Sequence, residues 1–196
     1  MLKDKSVNTR KSEVDFQKEF VKLINLKLNK NFVAYQGRSI YYQLQIDSTF
    51  SQNSISQPKR GRSAFETDIA IFRKFKNNGV ISEQLILVIE VKNELTTHDV
   101  IVYNNKAQRH KGVYPYLRYG LLCYGISSIP KRFFIHNNDL DFCITIKDYI
   151  NSEKTLQKIL YNLVKKELNV YNNFRNKNED DDKYNFYQVI PNIKNI

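Results

Sequence analysis

The stretch LILVIEVK, residues 85–92, constrains the fold of this chain more than any other. Its first five residues are all apolar, and a run without a polar face is typical of a strand that is covered on both sides. We therefore expect it to lie in the middle of a sheet. Glu90 and Lys92 end the run on the face that Ile86 and Val88 should bury, because alternate residues of a strand share a face. Charged side chains in such a place need partners or a function.

Hydrophobic periodicity predicts the elements around this strand. Residues 12–28 form an amphipathic helix, in which Ser12 and Asp15 resemble a capping box. Further strands are predicted over 39–50, 65–75, 119–126 and 132–146, and further helices over 98–111 and 152–174. This order predicts an α/β (α+β) fold with a central mixed β-sheet flanked by helices and an extra C-terminal helix.

Length and composition predict one soluble domain. We expect its core within residues 1–150, and we expect the amphipathic helix and charged tail of 151–196 to pack on the same domain. The composition is 41% hydrophobic and 26% charged, and no apolar run approaches the roughly 18 residues of a membrane span. The first residues lack the apolar stretch of a secretory signal. A cytoplasmic protein without a membrane partner is therefore expected.

The charge balance indicates an anionic partner. The chain carries 31 Lys and Arg against 20 Asp and Glu, which gives a net charge of +11. Nucleic acid is the commonest polyanion in the cytoplasm, although a Lys- and Asn-rich composition also arises from genomic base bias. Lys59, Arg60 and Arg62 form a basic cluster in a polar loop before the strand of Asp68. This loop is predicted either to contact DNA or to be plainly solvated.

A second inward carboxylate lies on the preceding strand. Asp68 shares its face with Ala70 and Phe72, so it should also point towards a buried side. If the two strands pair as a hairpin, Asp68 and Glu90 come within reach of one ion. Two close carboxylates repel unless a cation lies between them, and hard oxygen ligands suit Mg²⁺. Lys92 can then orient an attacking water, so the pattern predicts metal-assisted hydrolysis of a phosphodiester.

This pattern resembles the active site of the PD-(D/E)XK nuclease superfamily, to which many restriction endonucleases belong. The matching residues are Thr67-Asp68 and Glu90-Val91-Lys92, with Thr67 in place of the family's proline. The resemblance implies a restriction-endonuclease-like sheet. It also implies that Asp68, Glu90 and the carbonyl of Val91 hold the metal and that Lys92 positions the water.

The resemblance covers roughly residues 12–145 and implies further site residues on two helices. The family's amino-terminal helix often contributes an acid, for which Glu13 is the first choice and Glu19 the alternative. Gln108 and Lys111 lie on the helix after the motif strand, where related nucleases sometimes place a residue that steadies the site or contacts DNA. A plain surface helix is the alternative for these two.

Together these features predict a Mg²⁺-dependent DNA endonuclease of restriction or anti-phage defence type, for which Mn²⁺ would substitute. Cutting both strands needs two sites, so a homodimer is expected, with the C-terminal helix as a possible interface. The alternatives are a catalytically silent nucleic-acid-binding module on the same fold and a repair or resolvase nuclease. Glu-x-Lys also occurs by chance about once in a chain of this size, so a surface ion pair of Glu90 and Lys92 at the end of the strand is the alternative to a catalytic site.

Overall fold

The computed structural model describes residues 12–43, 63–147 and 153–179. Within these residues four helices accompany five strands. In chain order the elements are α1 (Glu13–Asn25), β1 (Phe32–Tyr41), β2 (Ala64–Asn77), β3 (Val80–Lys92), α2 (Thr97–Val113), β4 (Arg118–Cys123), α3 (Lys131–His136), β5 (Phe142–Thr145) and α4 (Glu153–Glu179).

The strands form one mixed sheet in the order β1-β2-β3-β4-β5. β2 pairs antiparallel with both β1 and β3, whereas β4 runs parallel to β3 and β5 runs parallel to β4. Since β3 and β4 are parallel, α2 provides the crossover between them. The prediction of a mixed sheet flanked by helices is confirmed, and so is the central position of the 85–92 strand.

Helices cover both faces of the sheet. On the first, which we call the aliphatic face, α1 and α4 pack over a cluster that includes Ile89 and Val91. On the second, which we call the α2 face, α2 and α3 pack over a cluster that includes Ala70, Val88 and Tyr119. β3 is apolar on both sides because it is buried from both sides.

β2 and β3 form one long hairpin, as predicted. Its turn is Asn78-Gly79, with φ angles of 49° and 82°. Asn-Gly adopts two successive positive φ angles at little cost, and the resulting turn matches the twist of paired strands. The hairpin thereby brings the Asp68 end of β2 beside the Glu90 end of β3.

One irregularity in this hairpin contradicts the sequence analysis. Ile71 pairs with Leu87 but Phe72 pairs with Leu85, so Ile86 is the extra residue of a β-bulge. Ile86 packs in the cluster of the aliphatic face, whereas Val88 packs in that of the α2 face. The prediction that Ile86 shares the face of Glu90 was therefore wrong, because a bulge shifts the alternation by one residue.

Two further predicted strands have different boundaries. β1 occupies Phe32–Tyr41 instead of residues 39–50, of which 44–50 lie outside the described part of the chain. Gly37, at a φ of 64°, interrupts the alternation of inward and outward side chains along this strand. The bounds of β1 therefore follow from its pairing with β2 and not from the hydrophobic pattern. Residues 131–136 form α3 where a strand was predicted, because Phe133 packs under α2 and Pro130 begins the turn. Only Phe142–Thr145 of that segment is a strand.

The helix ends agree well with their capping residues. Ser12 accepts a hydrogen bond from the Asp15 N–H, and Thr96 forms a capping box with Asp99 at the start of α2. α4 packs on α1 and the sheet through buried side chains such as Leu160 and Val164. Among the described helices, none is long and apolar enough to cross a membrane.

Candidate active site

Two carboxylates meet where the β2–β3 ladder ends. The last Cα pair of the ladder is Ile69–Ile89. One residue further, the backbone N–H of Asp68 donates to Glu90 Oε2 at 3.2 Å, and the backbone N–H of Val91 donates to Asp68 Oδ2 at 2.8 Å. Buried N–H groups need acceptors, and here side chains take the place of the opposite strand. The structure thus brings Asp68 and Glu90 together and fixes the position of both.

Glu90 is buried, with 1% of its surface exposed. Its Oε1 accepts hydrogen bonds from the phenol of Tyr119 and from Lys106 Nζ, the latter at 3.3 Å. Burial, followed by the charge of Glu90, raises the pKa of Tyr119 well above its usual value, so the phenol keeps its proton and remains a donor. A buried carboxylate is costly unless it is paired and hydrogen-bonded, and these partners supply both.

The surroundings of Asp68 disfavour its ionised form. Burial and the charge of Glu90 raise its pKa to about 6, although the Val91 N–H and Lys92 act in the opposite direction. A cation held between the two carboxylates would relieve both causes of this shift.

The donor set fits Mg²⁺, which prefers oxygen ligands and is often bound by one or two carboxylates together with water. In the described part of the chain no group of three or more acidic, His or Cys side chains comes together to hold a metal. Asp68 and Glu90 would therefore provide the side-chain ligands. The backbone, at the predicted Val91 carbonyl, and water would have to supply the rest.

Lys92 lies beside the carboxylates at the end of β3, with 24% of its side chain exposed. Its Nζ is 3.6 Å from Glu13 Oε2 and 5.6 Å from the ring centre of Tyr103. Burial alone lowers the pKa of Lys92, but a hydrogen bond with Tyr103 and the nearby charges of Glu13 and Asp68 outweigh it and raise the pKa overall. The ammonium group therefore stays charged while it remains open to a substrate.

Glu13 is the acid of α1 that reaches this site. Its Oε1 accepts the backbone N–H of Asn93 at 3.2 Å, and its Oε2 faces Lys92. α1 packs on the aliphatic face, but its first turn lies at the carboxyl end of β3. Glu13 therefore reaches past the end of this strand to Lys92. The alternative, Glu19, lies about 9 Å further along the helix axis.

The two residues that were predicted on α2, Gln108 and Lys111, do not contact the carboxylates of the site. Gln108 is exposed, and Lys111 forms an ion pair with Asp141 at 2.9 Å. Tyr103 and Lys106 face the carboxylates instead. Residues i and i+2 of a helix point about 200° apart around its axis. Gln108 therefore points away from the site that Lys106 faces. A lysine and a tyrosine three residues apart on the inner face of a helix are the signal that could have identified this pair.

Two remaining features of the predicted motif have different outcomes. Thr67, which stands where the family has proline, donates its hydroxyl to the Arg38 carbonyl at 3.0 Å and so ties β2 to β1. Lys59, Arg60 and Arg62 lie outside the described residues, and their contact with DNA stays a prediction.

A groove of about 420 Å³ opens at the carboxyl ends of the parallel strands β3 and β4. Gly125, in its wall, donates its backbone N–H at 2.7 Å to the carbonyl of Asn93, the residue that follows Lys92 in the chain. In open α/β sheets, ligands bind beyond the carboxyl ends of the strands. The polar side chains in its wall are Glu94, Thr96, Ser127, Ser128, Arg132 and Lys147.

A scan of the chain against protein-family models finds no match, and a search of curated proteins finds no significantly similar sequence. Any assignment of function therefore depends on the residues and geometry described above.

Proposed function

We propose that this protein is a Mg²⁺-dependent endonuclease of the PD-(D/E)XK type that hydrolyses phosphodiester bonds in DNA. The observation that carries the proposal is the meeting of Asp68 and Glu90 at the end of the β2–β3 ladder, with Lys92 beside them. The mixed sheet with α1 as its first helix is compatible with the restriction-endonuclease-like fold that the resemblance implies.

Each residue of the site has a proposed role. Asp68 and Glu90, with the Val91 carbonyl, would hold Mg²⁺, which when bound withdraws charge from the phosphate as a Lewis acid. Lys92 is charged and partly exposed, so it can hold the attacking water and offset the charge that develops on the phosphate. Glu13 positions Lys92 through its 3.6 Å ion pair.

The net charge of +11 supports a polyanionic substrate, and the groove at the carboxyl ends of β3 and β4 offers Arg132 and Lys147 to the phosphates of that substrate. We propose DNA as that substrate and a role in restriction or anti-phage defence in the cytoplasm, with Mn²⁺ able to replace Mg²⁺. Cleavage of both strands requires two such sites, and we propose that a homodimer provides them.

The test is a cleavage assay on supercoiled, linear, single-stranded and branched DNA and on RNA, with Mg²⁺, Mn²⁺ or a chelator. We expect metal-dependent cleavage of at least one DNA form. Lys92→Ala and Asp68→Ala should each lower the rate at least about 100-fold, because each removes an interaction that stabilises the transition state. Lys131→Ala, an exposed lysine on α3, is the matched control and should cleave normally.

Undiminished cleavage by Lys92→Ala would contradict the proposed site. Salt-sensitive DNA binding without cleavage by the wild type would instead identify a catalytically silent module. Binding and cleavage that are both absent on every substrate would overturn the proposal as a whole.

A further inference from the structure

Lys106 of α2 is held against the buried Glu90 from several sides. Its Nζ lies 3.3 Å from Glu90 Oε1 and 3.4 Å from the Glu66 carbonyl oxygen. The ring centres of Tyr103 and Phe65 are 5.1 Å and 5.9 Å away, a distance at which an aromatic face attracts a cation. Only 22% of the Lys106 side chain is exposed. These contacts therefore hold the ammonium group in a fixed position beside Glu90.

The hydrogen bonds of Glu90 limit which of its atoms can face a metal. Oε1 already accepts from Tyr119 and Lys106, whereas Oε2 accepts one N–H from Asp68. A carboxylate oxygen has two lone pairs, so Oε2 retains one on the side of Asp68. Any cation bound there shares its carboxylate with the ammonium of Lys106.

The charge of Lys106 has opposite effects on Glu90 and on a metal. In the metal-free site it compensates the charge of a carboxylate that has lost its water. When a divalent cation is present, the same charge repels it across the carboxylate, and screening is weak because Glu90 is buried. A residue that merely held Glu90 in position would strengthen metal binding, whereas a competing charge weakens it.

We infer that Lys106 is an internal counter-ion of Glu90 that competes with the divalent metal and sets the affinity of the site for it. The inference rests on the proposed metal site. It adds to the site a residue whose removal improves binding of the metal, the reverse of what the removal of a ligand or a supporting contact does.

The test is a calorimetric titration of the full chain with Mn²⁺ at pH 8 and without DNA, where protons compete little for Asp68. Lys106→Met keeps the alkyl stem and its packing on Tyr103 but removes the charge. We expect it to bind Mn²⁺ about tenfold more tightly than the wild type. Lys106→Arg keeps the charge, and Arg109→Met removes a charge from the exposed side of the same helix. Both controls should stay within about twofold of the wild type.

Lys106→Gln covers the case in which the Met variant does not fold. The amide can still donate to Glu90 but carries no charge, so it should also bind Mn²⁺ more tightly. Unchanged or weaker binding by the folded, uncharged variants would overturn the inference and leave the proposed function in place. Mn²⁺ binding that is absent in all variants and in the wild type at millimolar metal would overturn the metal site and both conclusions with it.

Discussion

Beyond the bulge, the two faces of β3 consist of alternate residues, yet they bury different chemistry. Ile89 and Val91 pack into the aliphatic face under α1 and α4, where most neighbours are apolar side chains. Glu90, between them in sequence, lies as deeply buried on the α2 face. Its burial depends on donors that come from Tyr119 and Lys106 and from the backbone of Asp68. One face thus provides stability through apolar area, and the other holds charges in fixed positions.

This difference indicates why a central strand is a useful place for a reactive carboxylate. The aliphatic face anchors β3 through close-packed apolar side chains, so the backbone there is rigid. The α2 face can then carry Asp68, Glu90 and Lys92 with little freedom to move. We expect substitutions on the two faces to separate activity from stability.

The largest effect is expected for Glu90→Gln. The amide has the size of the carboxylate and can accept from Tyr119, but it cannot share a cation with Asp68. Cleavage by the proposed nuclease should fall about 1,000-fold, equivalent to about 4 kcal/mol of transition-state stabilisation. The melting temperature should stay within a few degrees of the wild type. Single-turnover rates and thermal melts on the same preparation measure both; wild-type rates in this variant would remove the contrast between the faces.

Ile89→Ala is the matched substitution on the aliphatic face. Ile89 is fully buried, and truncating it should lower the free energy of unfolding by about 3 kcal/mol. The cleavage rate per folded molecule should change less than about threefold. Val80→Ala, at a position with 66% exposure, is the control and should shift stability by less than about 0.5 kcal/mol in urea titrations. A large loss of rate in folded Ile89→Ala would show that the faces are not independent.

A smaller effect concerns His110, which lies on the α2 face with 0% exposure. Its Nδ1 lies 2.8 Å from the Tyr41 carbonyl oxygen, so Nδ1 is the donor. A second proton would have to go to Nε2, which is buried and has no hydrogen-bond partner among the residues that the structure describes. Burial, together with the charge of Lys106, lowers the pKa of His110 to about 4 despite the Tyr41 contact.

The direction of the pH dependence follows from proton counts. Between about pH 6.5 and pH 4 the unfolded chain binds a proton at His110 that the folded chain excludes, so stability decreases as the pH falls. From pH 7 to pH 5 this amounts to about 2 kcal/mol. The raised pKa of Asp68 acts in the opposite direction over the same range, so the measurement must be a difference. Denaturant titrations of wild type and His110→Gln at both pH values isolate it, and equal pH slopes would contradict the prediction.

The smallest effects concern DNA affinity and test whether DNA that is bound at the α2 face also contacts the groove. Arg132→Ala and Lys147→Ala should each weaken DNA binding by about 1 kcal/mol and should each lower the slope of log affinity against log salt by about 0.9. Lys131→Ala, which is next to Arg132 but outside the groove wall, provides the comparison. Fluorescence anisotropy with a labelled duplex and a chelator separates binding from cleavage. Equal slopes for the three variants would place the DNA elsewhere on the molecule.

Parts of the fold were predictable because they depend on local pattern. An unbroken apolar run predicted the central position of β3, and its spacing from the Asp68 strand predicted the hairpin. Ser12 marked the start of α1 through a side-chain hydrogen bond that spans only three residues. The bulge at Ile86 and the helical turn at Phe133 depend on pairing and packing with distant segments, and local pattern predicted neither.

The sequence by itself placed Asp68 and Glu90 near the meeting ends of two adjacent strands, because apolar strand runs and a short hairpin connection are local properties. The bulge at Ile86, which depends on strand pairing, decides that the two carboxylates share one face. Only the tertiary structure decided what surrounds them. Lys106 and Tyr119 come from a helix and a strand that follow the motif. Both reach Glu90 because the parallel crossover packs α2 on the α2 face and places β4 beside β3. A buried charge is stabilised by contacts in space, and those depend on how the sheet and helices pack, which the spacing of residues along the chain does not specify.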